Sequence, residues 1–526
     1  MNGKMAAWTQ KAGVCFLTLS ILLCLTCVTA PAKTITIAVP VEPGSLDPHR
    51  GQEPASWAFT YPCYQRLTSF KPDSSQIEPS LALTWRISGD GRLYTFVLKK
   101  GQTFSDGRTV NAKAVCFSFR RVMGLGLAGS VYFPFLRDVE VLGPYTVRFT
   151  LSRPFAPFLV SLAANAASIV SPGLSGLPRG YLDRQTLGSG LYRVSSWEPG
   201  RKIALKARPG LRSRPKIEAF TAVFEPDSAK RLDMLRRGQV QIAEELGPAE
   251  YAALQADPAL KQFSAPAFSC EYITVNCRRP WLTQVRARRA LALAIDYDGL
   301  LESLPAGSAE RLGGPLPRGV WSRRTDLKGY EHDPEKAAQI LKETGRPKQS
   351  LVLAYTLERP WRSLTAARIK KDLEKLGLKV KPLKLEGKEF DRVLEKGEFD
   401  LAICSWRPNI ADPYVFLSHW LFSPVKGNQQ IFYQNRESVR LLEKAMALID
   451  RKQRPALYGR IQEALVSDSP YLFLFQINQR FGLSKQVKGF SGHPALEHVY
   501  PLNKLDLAPA IPPLSESFPG PIPPFF

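Results

Sequence analysis

Segments with the two-residue period of a strand and segments with the 3.6-residue period of a helix are interleaved along almost the whole chain, and no other feature restricts its fold as much. In Thr34–Val39, Ile35, Ile37 and Val39 alternate with Thr34, Thr36 and Ala38, which predicts a half-buried strand. Tyr145, Val147, Phe149 and Leu151 alternate with Thr146, Arg148 and Thr150 in the same way. Asn111 can cap a helix that places Val115, Phe119 and Val122 on one face. Asp333-Pro334-Glu335 puts a cap before a proline at the first helical position, and Ala337, Ile340 and Leu341 follow until Gly345 ends the run. Ile369, Leu373 and Leu376 form another stripe closed by Gly377, with a strand-like segment over residues 378–385. Val439, Leu442, Met446 and Ile449 mark one later helix, and Leu457, Ile461 and Leu465 a second. The class is therefore α/β or α+β. A length of 526 residues predicts two to four structural units and excludes a small disulfide-stapled scaffold.

The two ends differ from this body. Lys4 and Lys11 precede an apolar run from Val14 to Val28, too short for a comfortable membrane span, and Ala30-Pro31-Ala32 has the small-residue spacing that a signal peptidase reads. Cleavage after Ala32 is expected, so that the mature chain begins at Lys33. Cys27 is a second candidate feature, a lipidation site that would anchor the protein to a membrane, although Cys24-Leu25-Thr26 is a poor match to a lipobox. Five cysteines follow the cut, Cys63, Cys116, Cys270, Cys277 and Cys404, and an odd number leaves at least one free thiol. From Ala508 onward Pro and Gly dominate, so the tail is expected to be extended and disordered.

Lys and Arg total 71 against 47 Asp and Glu, a net charge of +24. Such an excess favours anionic partners. The basic residues are scattered and form no nucleic-acid motif, so a basic solvated surface is expected and no nucleic-acid partner. Gly124-Leu125-Gly126-Leu127-Ala128-Gly129 has the spacing of a dinucleotide fingerprint but follows a helix, where a strand is required. No phosphate loop, zinc-protease motif or nucleophile elbow is present, and His49, His332, His419, His493 and His498 are dispersed, with only a loose His493/His498 pair. Catalytic residues, a metal site and a cofactor are accordingly not expected.

Glu42-Pro43-Gly44-Ser45-Leu46-Asp47-Pro48-His49 follows the first strand. Then come Pro79 to Trp85, Asp90 to Phe96, Lys100 to Gly107, Gly188 to Tyr192, the helical Val285 to Asp296, and Trp406 to Leu417. In this order they resemble the bacterial oligopeptide, dipeptide and nickel solute-binding proteins of ABC transporters. The resemblance implies an α/β, two-lobed periplasmic solute-binding fold with hinged lobes and an extra domain inserted in the first lobe. The expected division is a signal peptide (1–32), lobe I (33–55, 185–272 and a return at 486–507), the inserted domain (56–184), lobe II (273–485) and the Pro-rich tail (508–526). It further implies a monomeric periplasmic protein that captures oligopeptides in an interlobe cleft and delivers them to permease and ATPase subunits, itself catalysing nothing.

By the same resemblance, Glu42 matches a pocket acid, Trp406 a pocket aromatic and Tyr132 a pocket tyrosine. Asn409 stands where the family has the aspartate that anchors a peptide's α-ammonium, with Asp412 or Glu42 as substitutes. An amide cannot supply the charge-assisted bond of a carboxylate. Positions of carboxylate-binding arginines appear as Leu394 and Ile403, and a pocket tryptophan as Gly387. Arg407 offers a positive centre, but alternation with Trp406 would point it away from the cleft. These departures motivate an alternative cargo, such as a muropeptide, a nickel chelate or another small polar solute. A periplasmic hydrolase and a polyanion-binding protein are the alternatives from other classes.

Overall fold

Thr34–Val39 forms the expected strand, but it is buried on both faces, with Ala38 as inaccessible as Ile37. It is central in its sheet, paired in parallel with Ala219–Phe224 on one side and Ile242–Glu244 on the other. Parallel strands covered on both faces lose the polar alternation of a half-exposed strand. The computed structural model describes residues 33–508 except 73, 125, 127, 212, 306, 358–360, 409 and 423–432. The signal segment with Cys27, Leu125 and Leu127 of the glycine motif, Asn409, and the tail beyond residue 508 lie outside the described residues.

Among the described residues, twelve strands make up the largest sheet. Its unifying element is the 14-residue strand Tyr471–Ser484. Its first part lies antiparallel to Cys270–Val275, with Thr274 opposite Tyr471. Its last part lies antiparallel to Ile242–Glu244, with Glu244 opposite Phe481. One strand thus belongs to both halves of the sheet. Tyr471 to Gln476 and Phe481 to Leu483 are buried, whereas Ile477, Asn478, Gln479 and Arg480 between them are only half-buried.

Each half has its own core. Beyond Cys270–Val275 lie Leu401–Trp406, Leu351–Thr356 and Val380–Leu385, packed under Leu291, Ile369, Leu373 and Trp420. On the other side Ile35, Ile37, Leu205 and Phe220 form a separate cluster. The chain leaves that side after its first strand and returns to it at Tyr192–Glu198. In between it builds a four-stranded antiparallel sheet, Ala82–Ile87, Leu93–Leu98, Thr146–Leu151 and Leu136–Gly143, around Phe96, Phe119 and Phe149.

Local signals act as read. Asn111 Oδ1 accepts from Ala114 N–H at the start of the helix Ala112–Gly124. Asp333 Oδ1 accepts from Lys336 N–H at 2.9 Å and caps Pro334–Thr344, which Gly345 ends at φ +71°. Asp333→Ala is expected to cost about 1 kcal/mol, read as a lower urea midpoint; an unchanged midpoint would show that the cap contributes nothing. All five cysteines of the described chain are free thiols, and burial pushes Cys63 up to about 12.

Candidate functional site

The half-buried middle of Tyr471–Ser484 opens onto a cavity of about 430 Å³ lined by both halves of the sheet. Glu244 and Glu245 reach it from the end of Ile242–Glu244, and Arg407 from just past Leu401–Trp406. Asn478 and Arg480 come from the long strand itself, and Glu497 and His498 from the C-terminal segment. Strand ends and the segments after them carry Glu244, Glu245 and Arg407 because side chains there are released from packing the core.

The charges are largely paired. Glu244, 3% exposed, accepts from His498 Nδ1 at 2.7 Å and from the Tyr500 hydroxyl at 2.9 Å. His498 Nε2 lies 3.7 Å from Glu245. Burial alone would lower the pKa of His498, but Glu244, Glu245 and Glu497 override it and raise it to about 9, so the ring is cationic at neutral pH. Arg407 is ion-paired with Glu497, and that acid with Glu245 and Glu271 outweighs the burial that would otherwise lower its pKa. Glu245 at φ +49° and His498 at φ +64° both adopt left-handed backbone, which costs a non-glycine residue energy and is concentrated at binding sites.

Of the expected site residues, Glu42 accepts from Gly200 N–H at 2.8 Å and thereby ties down a turn. Tyr132 is 2% exposed in the core of the four-stranded unit. Asp412 is buried, caps the helix Pro413–Leu421 through Tyr414 N–H at 2.9 Å, and pairs with Arg454 at 3.3 Å. Trp406 ends its strand half-buried, with its ring parallel to that of His419 at 3.9 Å and its indole N–H without a hydrogen-bond partner among the described residues. His419 Nε2 is 3.1 Å from the Tyr272 hydroxyl, and burial pushes its pKa down to about 3. None of these four side chains lines the 430 Å³ cavity.

Alternation placed Arg407 away from the cleft, yet Arg407 is the one that lines the cavity, because the regular strand stops at Trp406. Glu244, Glu245, Asn478, Arg480 and Glu497 escaped the sequence reading; the only hint was His498 in the loose histidine pair. Among the described residues, no group of three or more His, Cys, Asp or Glu could hold a metal ion, and no helix is long and apolar enough to cross a membrane.

Comparison with known proteins bears on this arrangement. The family model of bacterial extracellular solute-binding proteins, family 5 Middle, matches residues 76–428. An Escherichia coli (strain K12) protein named "Probable D,D-dipeptide-binding periplasmic protein" is 34% identical over 491 residues, covering 90% of this chain and 94% of its own. The dipeptide-binding protein of the same strain is 27% identical over 524 residues, 93% of this chain and 98% of that one. A solved structure of an ABC transporter-associated periplasmic binding protein from Helicobacter pylori, in complex with the peptide STSA, has a TM-score of 0.75 at 27% identity. It covers 90% of this chain and 98% of that one.

Proposed function

Because this chain belongs to the bacterial extracellular solute-binding proteins of family 5 and has the two-lobed α/β fold of periplasmic binding proteins, we propose that it is the exported binding component of a peptide-type ABC importer. Its two halves close over a short peptide and deliver it unaltered to a membrane permease driven by ATPase subunits. The observation that carries this reading is the charged cavity beside the one strand common to both halves. A strand continuous through both bodies can flex at its middle while each body keeps its own core, as hinged closure requires.

The cargo proposed is a dipeptide or tripeptide. A cavity of about 430 Å³ is at the small end of ligand pockets and suits a compact solute better than a long peptide. The names of the two Escherichia coli relatives support the same size class, and one of them favours a D,D-dipeptide. Trp406, whose buried indole N–H has no hydrogen-bond partner among the described residues, is proposed as an aromatic wall of the wider cleft, and Asn409 as a ligand-binding residue. Residues 33–272 with the C-terminal return are proposed as lobe I and its insertion, and 273–485 as lobe II, except that the last part of the shared strand, residues 481–483, packs with lobe I.

Mass spectrometry of solute released from natively purified protein, followed by calorimetry with D-Ala-D-Ala and L-Ala-L-Ala, tests this. A short peptide is expected among the released compounds, recovered intact; peptide emerging cleaved, or no binding of either dipeptide, would refute the reading. Affinity should change less than about threefold between roughly 50 and 200 mM salt, because charges inside a cavity are poorly screened, whereas a polyanion binder would lose orders of magnitude. The protein is proposed to be periplasmic and released after Ala32. N-terminal sequencing should then read from Lys33, while a blocked, lipid-modified Cys27 would mark an anchored form.

A further inference from the structure

The cations of the cavity are not equivalent. Arg407 is engaged by Glu497, and His498 by Glu244. Among the described residues Arg480 has no ion pair and donates no hydrogen bond from its side chain, and its Nη1 is shielded from solvent without a partner. Its neighbours among the described residues are the Tyr251 ring, 5.6 Å from the guanidinium carbon, and the carboxylates of Glu245 and Glu250, which act on it through space without forming an ion pair. Two residues earlier on the same face of the strand, Asn478 gives its amide N–H to Gly307 O at 2.9 Å. That bond fixes the amide orientation and leaves Oδ1 buried, also without a partner. A shielded donor and a shielded acceptor, both without a partner among the described residues and two positions apart on the strand that lines the cavity, are costly unless a ligand completes them.

We propose that Arg480 receives the terminal carboxylate of the bound peptide and that Asn478 Oδ1 accepts the neighbouring amide N–H. The assignment rests on the peptide reading of this same cavity and names what it selects: a short peptide with a free C-terminus. It also explains how carboxylate recognition survives where the resemblance places the family's arginines at Leu394 and Ile403. Both are packed in the apolar core, 3% and 1% exposed, where no arginine could meet a ligand. Arg480 brings the positive charge from the strand shared by both halves, so the ligand's charged end sits at the point about which they would close.

Calorimetry of the mature chain with D-Ala-D-Ala, L-Ala-L-Ala and the C-terminal amide of each tests the proposal. The wild type should bind the preferred free acid roughly 10- to 100-fold more tightly than its amide, the range expected for a charge-assisted bond out of water. Arg480→Gln should weaken the acid to the level of the amide and leave the amide unchanged. Arg480→Lys should restore part of the difference, since it keeps the charge and loses the fork. Asn478→Ala should weaken acid and amide alike. Each ratio is internal to one variant, so a general loss of stability cannot imitate the result. Equal affinity of the wild type for acid and amide would overturn carboxylate capture while leaving peptide binding intact. A preference that persists in Arg480→Gln would overturn the role of Arg480, and failure of the wild type to bind any of the four would end the peptide reading and this proposal with it.

Discussion

Replacing Glu244 with alanine lowers the stability of the protein by about 3 to 5 kcal/mol, the largest loss expected from a single change at the cavity. The carboxylate is 3% exposed and neutralises a cationic His498 at 2.7 Å while accepting the Tyr500 hydroxyl at 2.9 Å. Truncation leaves a buried imidazolium and a buried hydroxyl without their acceptor. It also releases the C-terminal segment that holds Glu497 against Arg407. Glu244→Gln keeps the shape and one acceptor oxygen, so it should cost less, while the His498 pKa falls from about 9 toward its ordinary value of 6.5. Urea unfolding gives the first quantity and NMR titration of the ring the second. A loss below about 1 kcal/mol for Glu244→Ala would mean that the pair is solvated and that the cavity is not built as described.

The second large effect is a stability maximum near pH 6.5, with a fall on either side. His498 has a folded pKa raised to about 9 from 6.5, so its contribution is fully present below pH 6.5 and is lost as pH rises to about 9. His49 behaves oppositely, and its surroundings explain why. Its Nδ1 accepts from Arg121 at 2.8 Å and its Nε2–H donates to Ser168 O at 3.0 Å, which fixes a neutral tautomer. A second proton would have to sit on Nδ1, facing a guanidinium in a site 1% exposed, and burial accordingly lowers the pKa to about 4. Asp47, which favours the charged ring, is already held by Arg121. The contribution of His49 is therefore present above pH 6.5 and lost as pH falls toward 4, with His419, lowered to about 3, acting in the same direction. The shifts of His498 and His49 each correspond to about 3 kcal/mol and that of His419 to about 5 kcal/mol. Denaturant midpoints from pH 4.5 to 9 should trace the maximum. His498→Gln should flatten the alkaline limb and His49→Gln the acid limb; a wild-type curve flat across this range would contradict both assignments.

Local sequence specifies some of these positions and leaves others to the fold. Asp333-Pro334 predicts a helix cap and forms one. Asp412-Pro413 has the same form and also caps a helix, yet the resemblance to a binding family drew it toward the ligand. The pattern around Trp406 located a strand end, but which of two adjacent side chains turned to the cavity depended on where regular pairing stopped. Tyr132 was a candidate for the pocket because an aromatic ring serves equally well as ligand wall or core, and burial decides between them only after folding.

The sequence by itself determined the strand and helix periods, the caps and glycine stops, and the family, because each of these is written in neighbours a few residues apart or in an ordered set of such segments. Only the tertiary structure decided which charges meet. Glu244 and His498 are 254 positions apart, Arg407 and Glu497 are 90 apart, and they come together because one long strand joins two halves of a sheet. A charge buried without a counter-charge is prohibitively costly, but nothing local in the chain says where that counter-charge will be.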